Sequence, residues 1–332
     1  MRDLTPGGGA AGTLVPSREP LPERVGDPFV TAPVETDPAA WIAIPSRVSV
    51  LDDLTTWITD REASRRGGLA VVSGDAGSGR TALLTALAGS LAEHPGLVVA
   101  TVADDGNRRS DALLPRAMIA ALGAVPAGRT GRELIAEARA EMRTHLDAGR
   151  RPVLLIDNAA LNGSQLEIVR MLLLPMEDDR SPDPLLVLFG PPELGDRIRR
   201  RRALAGMVER SYILPPLEPA EIGALLAGPL GGRSWFSGEA IAIIAAWSGG
   251  NPAGALRIAG ACRREAIARN RTDVDGEIAR DIATLLSDSG EPGAPPPRIP
   301  ADAVQTRLDL GFPVAELAPV PSGRSPRARR RG

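Results

Sequence analysis

Apolar residues fall into two kinds of pattern along this chain, and the two alternate. Short, nearly continuous apolar runs occur at Leu69 to Val72, Leu97 to Val102, Val153 to Ile156, Leu185 to Phe189 and Tyr212 to Leu214. Runs of this kind are what strands buried on both faces require. Between them lie stretches with helical spacing, at Asp111 to Leu122, Gly131 to Ala148 and Ser164 to Leu174, and ahead of them Val48, Leu51, Leu54 and Trp57 recur on one helical face. The alternation predicts an α/β fold, a parallel sheet sandwiched by helices. After Pro215-Pro216 the strand signals stop, and helical patterns follow at Pro219 to Ala227, Ser237 to Trp247, Pro252 to Arg269 and Gly276 to Ser287. Four domains or segments are expected: a disordered 1–40, an α/β domain over 41–217, a small all-helical domain over 218–288, and a disordered tail over 289–332. No solenoid-length repeat is visible.

Composition sharpens the ends. Residues 1–60 hold nine acidic side chains against four arginines, whereas residues 318–332 hold five arginines and no acid. With 36 glycines, 31 prolines and a single tyrosine the chain has the composition of a GC-rich genome, and all 39 of its basic side chains are arginine. Mutational bias accounts for the missing lysines; selection against lysine-directed modification is the alternative. Drift alone should still spare a lysine that catalysis requires. The lone Cys262 cannot form an internal disulfide, no secretory apolar region follows Met1-Arg2-Asp3, and no run is long enough to span a bilayer. A cytoplasmic setting is expected.

One motif carries chemistry. Gly74-Asp75-Ala76-Gly77-Ser78-Gly79-Arg80-Thr81 follows the first apolar run and precedes a helical stretch from Ala82 to Ala88, the strand, glycine turn and helix of a phosphate-binding loop. Glycines let successive N–H groups converge on phosphate oxygens, and the helix adds its positive dipole end. A plain glycine turn would explain Gly77 and Gly79 but not the full spacing. Arg80 stands where lysine belongs. About seventy-six residues after Thr81, the run Val153 to Ile156 ends in Asp157, so that Thr81 and Asp157 are the candidate Mg2+ ligands. The next position, where a carboxylate would polarise the attacking water, is Asn158; an amide orients water but cannot take its proton.

From about Pro28 to Arg269 the chain resembles the AAA+ P-loop ATPases of the general secretion pathway protein A type, with the related transposition-helper and origin-recognition-like ATPases. The resemblance rests on Pro28-Phe29, GDAGSGRTALL, LLIDNAAL, Leu188-Phe189-Gly190-Pro191-Pro192-Glu193-Leu194, Glu209-Arg210, Leu214-Pro215-Pro216-Leu217 and Gly250-Asn251-Pro252. It implies an ATP- or ADP-binding domain with Mg2+, a helical lid, and activity through neighbouring subunits, in a homo-oligomer or with a partner ATPase. Four positions depart from the pattern: Arg80 for the loop lysine, Asn158 for the glutamate, Pro191 for a polar sensor and Ala253 for the lid arginine. Removing one preorganised charge-stabilising donor costs hydrolysis roughly a hundred- to a thousand-fold. The expected molecule is therefore a nucleotide-sensitive assembly or regulatory factor with weak or absent hydrolysis; a slow true ATPase and a nucleotide-independent scaffold are the alternatives. Arg210 matches an arginine presented to a neighbour's nucleotide, and alternatively complements a helix C-terminus. Arg257, one turn past Ala253, is either a substitute sensor or a solvated arginine.

Arg197, Arg199, Arg200, Arg201 and Arg202 are expected to crowd one helix, where they repel one another unless something anionic lies opposite. Nucleic acid, acidic segments of a neighbouring subunit and a solvated face are the three readings, and the C-terminal arginines extend the first. No aromatics interleave with them for base stacking. His94 and His145 have no metal-ligand company, and Cys262 is expected in a core.

Overall fold

The computed structural model describes residues 42–62, 67–103, 112–157, 160–174, 184–228 and 235–288. The expected disordered ends, 1–40 and 289–332, lie outside them. In chain order the elements are α1 (Pro45–Glu62), β1 (Gly68–Ser73), α2 (Arg80–Ala92), β2 (Leu97–Ala103), α3 (Leu113–Ala121), α4 (Gly131–Asp147), β3 (Arg151–Asp157), α5 (Gly163–Leu172), β4 (Leu185–Gly190), α6 (Glu193–Arg199), α7 (Arg202–Ala205), β5 (Val208–Ile213), α8 (Pro219–Ala227), α9 (Gly238–Ser248), α10 (Pro252–Ala268) and α11 (Gly276–Asp288).

The five strands form one sheet in the order β2-β3-β4-β1-β5, and every pairing is parallel. Strands β1 to β4 are largely apolar runs because both faces are covered. Leu69 and Val71 of β1, Leu154 and Ile156 of β3 and Leu186 and Leu188 of β4 join a core with helices α3 to α7. Ala70, Val72, Val153, Leu155, Val187 and Phe189 point the other way, into a core with α1 and α2. From β1 the chain crosses to the far edge of the sheet, so the carboxyl end of β1 lies at a topological switch point, the usual place for a ligand in an open α/β sheet.

Helices α8 to α11 bury their own core around Ile222, Ile244, Ile258, Cys262 and Ile278, and Ile44, from just before α1, is buried in it as well. Burial pushes the Cys262 thiol up to about 12. Asn251 and Ser237 cap α10 and α9 by accepting from Gly254 N–H and Ala240 N–H, which explains why both helices begin where turn residues interrupt the apolar pattern.

Two features differ from the pattern-based expectation. The last strand begins at Val208, four residues earlier than the apolar run at Tyr212 implies, because its first half carries Glu209 and Arg210, which break the apolar pattern and face Asp53, Trp57 and Arg61 of α1. Register skips a residue between Leu69, opposite Val208, and Ala70, opposite Arg210. The resulting bulge at Glu209 lets consecutive side chains address the same helix. Glu209 accepts from the Trp57 indole N–H at 3.0 Å and pairs with Arg61, Arg210 Nε lies 3.7 Å from Asp53, and the Tyr212 hydroxyl donates to Asp53. Burial, then the Asp53 carboxylate, pushes the Tyr212 phenol above its ordinary pKa. The second difference is the arginine cluster, which does not share one helix: α6 ends at Arg199, α7 starts at Arg202, and Arg200 and Arg201 cap the two helices between them.

Packing should dominate this α1 to β5 contact. Trp57→Ala, at a side chain only 4% exposed, is expected to cost about 3–5 kcal/mol in urea unfolding, and Glu209→Ala no more than about 1–3 kcal/mol. The thiol gives a pH test. A folded pKa above the unfolded one stabilises the protein fully below the unfolded value, so the contribution of Cys262 is lost as pH rises above about 8.5. Cys262→Ala should flatten that alkaline loss in unfolding measured from pH 7 to 10.

Candidate nucleotide site

β1 delivers the chain to Ser73, and the loop that follows is forced open by its glycines. Gly77 (φ 78°) and Gly79 (φ 92°) occupy the left-handed region, which other residues enter at a cost. A Cβ on Gly74 would lie 2.6 Å from Ser78 Oγ. The Ser78 N–H closes a turn onto Asp75 C=O at 3.1 Å, and α2 starts with Gly79 as an N-cap that has no side-chain hydrogen bond and no acidic residue in its first turn. The free N–H groups of that turn are therefore directed at the loop, with the positive end of the helix behind them.

Two buried polar atoms in the loop region lack a hydrogen-bond partner, Ser78 Oγ and Arg80 Nη1. A buried donor on a permanently charged guanidinium is costly unless an anion meets it. Left-handed glycines, uncapped helix amides and an unmet arginine donor together fit the phosphates of a nucleotide. Thr81 Oγ1 donates to Asp157 Oδ2 at 2.8 Å, which brings the two candidate Mg2+ ligands together across 76 residues of sequence. No group of three His, Cys, Asp or Glu side chains able to hold a metal occurs among the described residues. A divalent cation here would take Thr81 and Asp157 and complete its oxygen shell from phosphate and water.

The other expected site residues are distributed as follows. Asn158 lies outside the described residues. Pro191 follows the last residue of β4 and offers only its carbonyl, which accepts from Leu194 N–H at 2.9 Å. Ala253, at the start of α10, donates its N–H to Gly77 C=O at 3.2 Å. Arg257 is exposed one turn further along the same helix. Arg210 sits inside β5, its Nη1 donating to Glu209 C=O at 3.2 Å and its Nε facing Asp53. Within the arginine cluster, Arg197 donates to the carbonyls of Ala160 and Leu161 at 3.1 and 3.2 Å, Arg199 pairs with Asp196, and the guanidinium of Arg201 lies over Gly163. Arg200 and Arg202 are the exposed members. His145 lies against Leu122 C=O at 3.0 Å and 3.5 Å from Glu141.

Arg47 went unread in the sequence. It is 3% exposed, and its Nη2 donates to Pro215 C=O at 2.6 Å and to Ser78 C=O at 3.4 Å. Burial pulls its guanidinium below the ordinary pKa, against the field of Glu221. Glu221 receives Ser46 N–H at 3.0 Å. Burial alone would raise that carboxyl, but bonds from Ser46 and Glu218 and the charge of Arg47 bring it below the usual range. One arginine thus ties α1, the loop and the approach to the lid. Nothing in the linear sequence marks it, since its partners are backbone carbonyls 31 and 168 residues away. Arg47→Met should leave those carbonyls unsatisfied and lower stability by about 1–3 kcal/mol, measured by chemical unfolding.

Comparison with known proteins agrees with this geometry. Residues 63–198 match the family described as an AAA domain. No curated protein matches the sequence. Among solved structures, Cdc6p from Pyrobaculum aerophilum is similar at 15% identity and a TM-score of 0.60, over 74% of this chain and 68% of that one. The ORC2 protein of Aeropyrum pernix, in ADPNP and ADP complexes, matches at 13% identity and 0.56, over 72% of this chain and 67% of that one. The ORC1 protein of Aeropyrum pernix, in complex with DNA, matches at 15% identity and 0.57, over 74% and 67%. Such identities speak for the fold. Residues 63–198 thus match an AAA domain, and the fold shared with those structures continues into helices that close on its loop.

Proposed function

We propose that the chain binds ATP or ADP with Mg2+ at Gly74 to Thr81 and acts as a nucleotide-sensitive assembly or regulatory factor, with weak or absent hydrolysis. The observation that carries this reading is Arg80: its charge is retained at the loop, and its Nη1 is buried with no protein partner. Charge without slimness favours binding over turnover, because a planar guanidinium cannot take the place of an ammonium between loop and phosphates. The positions that would polarise water and sense the terminal phosphate are an amide, a proline and an alanine, at Asn158, Pro191 and Ala253. None of them can accept a proton or present a cation. The neighbours of an oligomer would supply what is missing, with Arg210 reaching a second copy's nucleotide once released from Asp53.

A slow ATPase is the second reading, favoured by the bond between Thr81 and Asp157. DNA binding through the exposed Arg200 and Arg202 and the C-terminal arginines is a third; the Aeropyrum ORC1 protein was solved with DNA, and of the five clustered arginines Arg197 and Arg199 are bonded within the chain.

Calorimetric titration with Mg·ADP should give a dissociation constant below a millimolar, and the absence of heat at millimolar nucleotide would overturn the binding claim. Phosphate release should be undetectable in the parent. Arg80→Lys with Asn158→Glu should raise it at least about tenfold, one lost catalytic donor being worth more than that. Parent turnover that disappears in Asp157→Ala would instead establish the slow ATPase.

A further inference from the structure

Three consecutive loop carbonyls point away from the phosphate side, and each meets a donor from elsewhere in the chain. Ala76 C=O accepts from Asn251 Nδ2 at 2.8 Å, Gly77 C=O from Ala253 N–H at 3.2 Å, and Ser78 C=O from Arg47 Nη2 at 3.4 Å. A trans peptide is planar, so its C=O and N–H point in opposite directions. Holding the Ala76 carbonyl outward therefore aims the Gly77 N–H inward, and holding the Ser78 carbonyl does the same for Gly79.

Two of the three donors belong to the first turn of α10. Asn251 has two tasks: its Oδ1 accepts from Gly254 N–H at 3.0 Å, capping the helix, and that bond leaves Nδ2 facing the loop. Ala253 offers one of the N–H groups that no helix satisfies internally. The contact is close, since a Cβ on Gly77 would lie 2.8 Å from both Ala253 Cβ and Asn251 Oδ1. At position 253 a small side chain therefore lets the helix rest directly on the loop.

We propose that Asn251 is a positioning residue for anion binding: through Ala76 it sets the direction of the loop's amides, so that lid position and phosphate affinity form a single equilibrium. Arg47 is the corresponding tether on the α1 side. This inference rests on the loop binding nucleotide, but its first readout does not.

Asn251→Ser in the full chain separates the two tasks, because serine caps a helix about as well as asparagine yet is too short to reach Ala76. The thermal midpoint should stay close to the parent's. Amide hydrogen exchange over residues 76–80 without nucleotide should quicken, and the Mg·ADP dissociation constant should rise about threefold to tenfold, the worth of one net hydrogen bond. Asn251→Asp keeps a strong cap while setting a carboxylate against the carbonyl, and should weaken ADP further. Unchanged exchange in both variants would overturn the proposal, as would parent-like ADP affinity in a parent that binds ADP. If the parent itself gives no ADP signal, the nucleotide reading fails, and exchange alone decides the clamp.

Discussion

A peptide plane has two ends, and a loop that turns its N–H groups toward a phosphate must satisfy its carbonyls on the other side. In this molecule the outer side is supplied by distant parts of the chain. Asn251 and Ala253 come from the lid and Arg47 from the first helix. The anion site is accordingly not a property of the glycine motif alone. Its amides are aimed by contacts that also decide where the helical domain sits, and the core of that domain reaches back to enclose Ile44. Core, lid and first helix share one loop.

The first helix is the structural intermediary. On one flank it meets β5 through Asp53, Trp57 and Arg61, and at its beginning it places Arg47 between the loop and Pro215. Charge is offset there by opposite charge: the field of Glu221 opposes the desolvation of Arg47, and Asp53 accepts from the Tyr212 hydroxyl and lies 3.7 Å from Arg210 Nε. Buried ion pairs contribute little net stability but are costly to break on one side. They fix register and orientation here, and the apolar contacts of Leu54, Trp57 and Ile58 hold the helix down.

On the proposed reading, the candidate site keeps what binding requires and lacks what hydrolysis requires. Binding an anion needs oriented dipoles and a charge, which Gly77, Gly79, the start of α2 and Arg80 provide. Hydrolysis also needs a proton acceptor and charge placed where it develops in the transition state. Retention of the bond between Thr81 and Asp157 keeps the metal position defined.

Much of this was legible in the linear chain. Apolar runs gave away the first four strands, because strands covered on both faces have no polar side to interrupt the run. The loop and Asp157 were legible because backbone chemistry demands glycine at positive φ and a carboxylate at a strand end. The start of β5 was not, since Glu209 and Arg210 interrupt its apolar run and their partners on α1 are distant in sequence. Nor was it legible that Arg197 of the arginine cluster turns inward to the carbonyls of Ala160 and Leu161, for charge alone says nothing about which carbonyl lies within reach. Local chemistry is written in neighbouring residues, so the sequence by itself determined the fold class and the phosphate loop. Arg47 and Asn251 act on carbonyls 31 and 175 residues away, and only the tertiary structure, by bringing those groups within hydrogen-bond distance, decided what holds the loop's amides in place.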